Sequence, residues 1–242
     1  MNALTVENLS VAYDKKIVLD NANVSVPSGR LSAIIGPNGA GKSTFLKAIL
    51  NQLPNKVGKI EILGKLFEPK NLVVGYVPQR NAVDWDFPTN ALDIVLMGRY
   101  GHTGLFKRPS KQDKLLAQQA LASVGMQDFA ERSIGQLSGG QQQRVFLARA
   151  LAQNADVYFL DEPFAGVDAA TEKTIIDILK NLKAQGKSIF VVHHDLQTVK
   201  EYFDFTILLN KTILASGATE EVFTPQQLQK TYGGKLFMMQ GM

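Results

Sequence analysis

"RLSAIIGPNGAGKSTFLKAIL", residues 30–50, decides how the rest of this chain is read. A short apolar run ends at Gly36, and the glycine-rich segment "GPNGAGKST" (residues 36–44) opens into a run with helical spacing. The order is strand, loop, helix. Gly36 and Gly41 are separated by four residues and followed by Lys42 and Ser43, the P-loop pattern. Glycines let backbone N–H groups curl around phosphates without Cβ clashes, and the helix that follows points its positive end at the same anion. Gly36, Pro37, Asn38, Gly39, Ala40, Gly41, Lys42, Ser43 and Thr44 are therefore the candidate phosphate cradle. Lys42 is placed to reach the β- and γ-phosphates, and the Ser43 hydroxyl to ligate Mg²⁺.

The flanks extend the same alternation. Residues 4–9 and 17–26 are strand-like, rich in Val and Ile, with turn residues between them. "GKIEILGK" reads as a hairpin strand, and "LVVGYVPQ" as a strand ending at Pro78. From residue 88 to about 135 the pattern turns helical, with caps and breakers at Pro109, Ser110 and Gly125. "QQQRVFLARALAQ" follows as a long helix whose apolar positions Val145, Phe146, Ala148 and Leu151 recur at helical spacing. Then "VYFLDE" reads as a buried strand, "AATEKTIIDILKNLKAQG" as a helix closed by Gly186, and "KSIFVVHHD" as another buried strand. Near-continuous apolar strands alternating with amphipathic helices argue a parallel sheet covered on both faces. One domain over residues 1–242 is expected, with an α/β core of 1–87 and 136–242 and a helical subdomain at about 88–135.

Two further segments carry chemistry. "VYFLDE" puts Asp161 and Glu162 at the carboxyl end of a strand, where open α/β sheets bind ligands. Asp161 would hold the Mg²⁺ shell, and Glu162 would polarise an attacking water as general base. Taken alone, the pair equally suits a solvated strand end; the P-loop upstream tips the reading. "LSGGQQQR" (residues 137–144) presents Ser138, Gly139, Gly140 and Gln141 at a helix N-terminus, a second anion cradle. An ordinary cap needs the serine but not the glycine pair. One nucleotide does not ordinarily need two such cradles so far apart in one chain.

"GPNGAGKST", the Gln79 of "YVPQR", "LSGGQQQR", "VYFLDEP", "AGVD" and "VVHHDL" occur in that order. With them the chain resembles, over nearly its whole length, the ATP-binding subunit of ATP-binding-cassette (ABC) transporters. The resemblance implies a P-loop NTPase cassette with a RecA-like α/β core, an antiparallel β subdomain and an inserted α-helical subdomain. It implies hydrolysis of ATP with Mg²⁺ in a head-to-tail homodimer, the P-loop of one chain facing the signature of the other. Each cradle then belongs to a different nucleotide. Ser138, Gly139, Gly140, Gln141 and Asp168 contact the partner subunit's ATP, and Asp168 couples the two sites. By position, Tyr13 stacks on adenine, while Gln79 senses Mg²⁺ and the attacking water. The switch histidine of such cassettes directly precedes an Asp, which selects His194; His193 is expected to be a partly buried strand residue without a catalytic part. "AGVD" stands where "SALD" is usual, so Gly166 is expected to alter the dimer contact while Asp168 is retained.

Composition narrows the alternatives. A net charge of +4 on 242 residues permits contact with phosphate but does not demand it, and 45% apolar residues do not suggest disorder. With no cysteine and three histidines, a transition-metal site within the chain is not expected. Met238, Met239 and Met242 read as a frayed or packed end rather than a soft-metal site. "MNALTVENLS" lacks a basic start followed by an apolar run, so no secretory signal is expected, and no apolar run approaches the roughly 20 residues of a membrane-spanning helix. A nucleic-acid-associated ATPase would want basic–aromatic clusters, which are missing. A nucleotide-dependent regulator without transport is a third class, which a copurifying membrane partner would exclude. The expected protein is the separate motor of an importer, peripheral on the cytoplasmic face of the membrane and binding no nucleic acid.

The segment "VDWDFPTNALDIVLMGRY" (residues 83–100) bears on cargo and partner. Together with "GRYGH" and "GLFKRP" it resembles cassettes of manganese, zinc and iron uptake, with manganese ranked first, then zinc or ferrous iron; cassettes for chelated iron share the "GRY" but are commonly less similar around "VDWDFP". A metal-binding lipoprotein is implied indirectly. The resemblance places docking of the integral-membrane permease around Gln79 to Tyr100. Trp85, the one tryptophan, alternates with Asp84 and Asp86, which suits a protein interface better than anionic lipid. Pro88 with Thr89 or Asn90 reads as a helix start, and Leu92, Val95 and Leu96 as core.

Overall fold

The computed structural model describes residues 1–14, 16–68, 73–103 and 108–233. In chain order its strands are β1 (Asn2–Tyr13), β2 (Lys16–Pro27), β3 (Leu31–Ile35), β4 (Lys56–Ile62), β5 (Lys65–Leu66), β6 (Val74–Val77), β7 (Val157–Asp161), β8 (Ser188–Val192), β9 (Phe205–Asn210) and β10 (Thr212–Ala218). The helices are α1 (Lys42–Ile49), α2 (Ala91–Met97), α3 (Tyr100–Thr103), α4 (Lys111–Ser123), α5 (Gly139–Ala152), α6 (Ala169–Ala184), α7 (Val199–Tyr202), α8 (Thr219–Val222) and α9 (Pro225–Tyr232). Part of "GLFKRP" and the methionines Met238, Met239 and Met242 lie outside the described residues. Two compact units divide the chain, Met1–Pro69 with Gly186–Met242, and Lys70–Gln185.

The first unit contains two sheet systems. An antiparallel sheet runs β2-β1-β4-β5. Its pairs Leu4↔Val26 and Val6↔Val24 set buried residues opposite one another, which fixes the register, because a one-residue slip would turn these side chains to water. In the second system β3 lies parallel to both β8 and β9, and β10 closes on β9 antiparallel. Every residue of β3 and of β8 is buried, and apart from Ser32 and Ser188 both are apolar, with no face turned to water. The register Ile34↔Val192 and Ile35↔Leu208 brings the carboxyl ends of three strands level. The P-loop leaves one of those ends and the histidine pair another.

In the second unit β6 runs parallel to β7, with Val77 opposite Leu160, and again the carboxyl ends coincide. The helices α2, α4 and α5 pack mutually through Ile94, Val95, Ala117, Leu121, Val145 and Phe146, all buried. Asn90 is the cap of α2, its side chain accepting the Asp93 N–H at 2.8 Å, which resolves the Thr89 or Asn90 alternative. Ser110 and Asp113 close a capping box on α4. Leu96 is buried as expected, and Leu151, at the end of the α5 stripe, is only half-buried.

Candidate nucleotide site

Tyr13, the P-loop and the histidine pair belong to the first unit. Gly36 follows β3 directly, and a Cβ there would stand 1.9 Å from the Leu209 carbonyl oxygen, so only glycine lets the loop begin so close to β9. From the same neighbourhood the Lys211 N–H donates to the Ala40 carbonyl at 2.9 Å, tying the loop to the turn between β9 and β10. Tyr232 at the end of α9 has its phenol pushed up to about 12 by burial, with a hydrogen bond to the Gly36 backbone partly opposing the shift.

The Lys42 ammonium, 6% exposed, donates to the carbonyls of Gly36 at 2.8 Å and Pro37 at 3.0 Å. The cation is thereby held inside the loop, at the position where a phosphate would take over its hydrogen bonds. A Cβ on Gly39 would meet nothing within 4 Å, which leaves open space on that side of the loop. The Tyr13 ring is 46% exposed and offers a free face for stacking.

At the end of β8 the two histidines part. His193 is 4% exposed, its Nε2 shares a 2.8 Å hydrogen bond with the Thr198 hydroxyl, and its ring lies 5.1 Å from that of Phe203. Burial pushes the imidazole down to about 4, against a smaller opposing pull from Asp195. This histidine is neutral and packed, more deeply than the sequence reading expected. His194 is exposed.

Gln79, Asp161, Glu162, Ser138, Gly139, Gly140, Gln141 and Asp168 belong to the second unit. Asp161 ends β7 and is 2% exposed, while Glu162 turns out of the strand with φ 54°, a left-handed conformation that costs a non-glycine residue about 1 kcal/mol. The Gln79 amide donates to a Glu162 carboxylate oxygen at 2.8 Å. Two candidate catalytic groups thus touch. Ser138 and Gln141 form a reciprocal capping box at the start of α5. Asp168 caps α6, accepting the Thr171 N–H at 2.8 Å and its hydroxyl at 3.1 Å, and these bonds hold its carboxyl below the usual range.

Ser43 in the first unit, and Gln79 and Asp161 in the second, each carry a hard oxygen of the kind Mg²⁺ takes. Among the described residues no three His, Cys, Asp or Glu side chains gather to hold an ion unaided, and Mg²⁺ ordinarily keeps waters and substrate phosphates in its shell.

The sequence pattern of the ABC transporter family matches residues 19–165. The chain belongs to the ABC transporter family. It is 59% identical over 236 residues, 98% of its length and 94% of the relative's, to the manganese transport system ATP-binding protein MntB of Bacillus subtilis. It is 55% identical to the zinc transport system ATP-binding protein TroB of Treponema pallidum, over 97% of this chain and 88% of that one. Among solved structures, the ADP conformation of an ATP-binding cassette of an ABC transporter, MJ1267, superposes with a TM-score of 0.80 at 27% identity, over 97% of this chain and 99% of that one. An ABC cassette binds nucleotide and works with membrane subunits, and among the described residues no helix is long and apolar enough to cross a membrane.

Three features of this cassette escape a motif search. Leu209 and Lys211 brace the P-loop through backbone groups, which any residue carries, so they leave no sequence signal. Thr171 lies over the second signature glycine, 3.2 Å from where a Cβ on Gly140 would stand. The third concerns "VDWDF". Trp85 is half-buried, its indole N–H donating to the Arg80 carbonyl at 3.0 Å and its ring edge-on to Phe146 at 5.1 Å. Phe87, at 53% exposure, is the outward aromatic of that segment.

Proposed function

We propose that this chain is the ATP-hydrolysing motor of an importer for divalent metal ions, with manganese ahead of zinc and ferrous iron. The observation that supports this reading is the 59% identity to a manganese-system cassette along 98% of the chain. Cargo does not reach this subunit, so the ranking among metals rests on likeness between sequences. The chain acts as one nucleotide-binding domain with residues 88–135 as its helical subdomain. It works as a homodimer when ATP is bound, on the cytoplasmic face of the membrane, with a metal-binding lipoprotein delivering cargo to the permease.

Each residue then has a chemical task. Lys42 exchanges the Gly36 and Pro37 carbonyls for β- and γ-phosphate oxygens, and the P-loop N–H groups bind the remaining oxygens. Tyr13 stacks on the adenine. Ser43, Asp161 and Gln79 would hold Mg²⁺, which would offset the charge of the phosphates. Glu162 takes a proton from the attacking water, which requires that Gln79 loosen its 2.8 Å hold on the carboxylate. His194 hydrogen-bonds the γ-phosphate. Ser138, Gly139, Gly140, Gln141 and Asp168 complete the site of the neighbouring copy. ATP therefore creates interface that neither chain has alone and favours the closed dimer.

Glu162→Gln tests this reading. The variant is expected to bind ATP as the parent does, to lose turnover, and to accumulate as an ATP-dependent dimer in light scattering. A monomeric variant with parent-like turnover would sink it. Metal accumulation in cells lacking the protein separates manganese from zinc.

A further inference from the structure

Arg80 follows Gln79, and no motif assigns it a task. Its guanidinium lies flat against the signature: a Cβ on Gly139 would stand 2.8 Å from Nη1, 2.9 Å from Cζ and 3.1 Å from Nη2. The same Nη1 is 3.7 Å from where a Cβ on Gly166 would be, and Gly166 itself holds φ +70°. Nη2 donates to Gln142 Oε1 at 3.3 Å, and the Gln142 amide is oriented by its own donation to the Ile134 carbonyl at 3.1 Å. One side chain thus spans the segment that carries Gln79, the first signature glycine and the loop that leads to Asp168.

The backbone of the same residue is anchored as well. Trp85 donates to the Arg80 carbonyl and sets its ring on Phe146. Gln142 and Phe146 are four residues apart and share a face of α5. The segment following Gln79 is therefore docked on the signature helix at two successive turns, while the Gln79 side chain itself grips Glu162.

We infer that Arg80 is a positioning residue that couples a chain's own Gln79–Glu162 pair to the signature it offers to the neighbouring nucleotide. The inference rests on the functional reading above, in which those two groups serve different ATP molecules. When Gln79 leaves Glu162 for the reacting nucleotide, Arg80 moves with it, and Gly139, Gly166 and Gln142 follow because the guanidinium fills the space between them. The absence of a Cβ at 139 is what admits the planar group, whereas one at 166 would only rest in ordinary contact with it. A lysine at 80 would keep the charge but could not both cover Gly139 and reach Gln142, since a single ammonium lacks the flat fork.

The test uses the full chain with Arg80→Ala and Arg80→Lys, and Gln142→Met as an independent way to remove the acceptor. In steady-state ATPase assays each variant is expected to lose kcat about tenfold, with KM for ATP within twofold of the parent and the Hill coefficient falling toward one. In a Glu162→Gln background, ATP-driven dimerisation should weaken about tenfold while a fluorescent ATP analogue binds the single chain as before. Parent-like kcat and cooperativity in Arg80→Ala would overturn the inference. So would full rescue by Arg80→Lys, which would reduce the role to charge, or a loss confined to nucleotide affinity. A parent-like rate in Glu162→Gln alone would instead bring down the reading beneath it.

Discussion

His193 gives the most direct quantitative test, because its burial has a thermodynamic signature separate from catalysis. An imidazole in the unfolded chain takes up a proton near its ordinary 6.5, whereas the buried ring resists until about 4. Between those values the unfolded state binds more protons than the folded one, so stability falls as pH falls through that window and levels off below it. At pH 5 the unfolded ring is almost fully protonated and the folded ring barely so, which corresponds to a loss of about 2 kcal/mol relative to pH 7. Other groups titrate over the same range, so the quantity to measure is a difference between two proteins. His193→Gln keeps a group able to bond the Thr198 hydroxyl but loses the ring packed beside Phe203. It should therefore be less stable than the parent at pH 7, yet lose about 2 kcal/mol less on going to pH 5. Urea unfolding followed by far-ultraviolet circular dichroism at the two pH values gives both numbers. Parallel pH dependence in parent and variant would refute the claim that this ring is kept neutral by burial.

Gly36→Ala and Gly39→Ala should separate two costs in one loop. The first drives a methyl into the Leu209 carbonyl and should cost about 3 kcal/mol, and the second meets open space but keeps φ +78° and should cost about 1 kcal/mol, both by urea titration. Ser110→Ala removes the capping box of α4 and should lower stability by about 1 kcal/mol on the same measurement. Phe87→Ala should weaken capture of the membrane subunits about tenfold while leaving ATP hydrolysis by the isolated chain unchanged. Undiminished capture would move the docking surface elsewhere.

The parts legible in the sequence are those whose physics is local. A glycine-rich turn between an apolar strand and a helix, a buried β7 that ends in one acid and is followed at once by another, and the stripe of α5 each announce themselves within a dozen residues. Contacts between distant segments did not. Nothing in "PQR" says that the arginine will lie on Gly139, because that depends on where α5 packs. The Leu209 carbonyl beneath Gly36 is backbone and leaves no trace in composition. Strands β9 and β10 carry no motif, and only the pairing of β9 with β3 and of β10 with β9 gives them a place. Alternating aromatics and aspartates in "VDWDF" point to a protein interface, but they do not say which ring faces out. A hydrogen bond to the Arg80 carbonyl turns Trp85 inward and leaves Phe87 to water.

That inward turn has a practical consequence. Trp85 is the chain's one tryptophan, so all indole emission from the protein originates at the junction between the Gln79 segment and α5. Any nucleotide-driven slide of one past the other must change the indole's hydrogen bond, its Phe146 neighbour or its access to water. The indole is therefore a built-in optical gauge of whether that junction holds or slips when nucleotide binds, readable in a stopped-flow cuvette without a label.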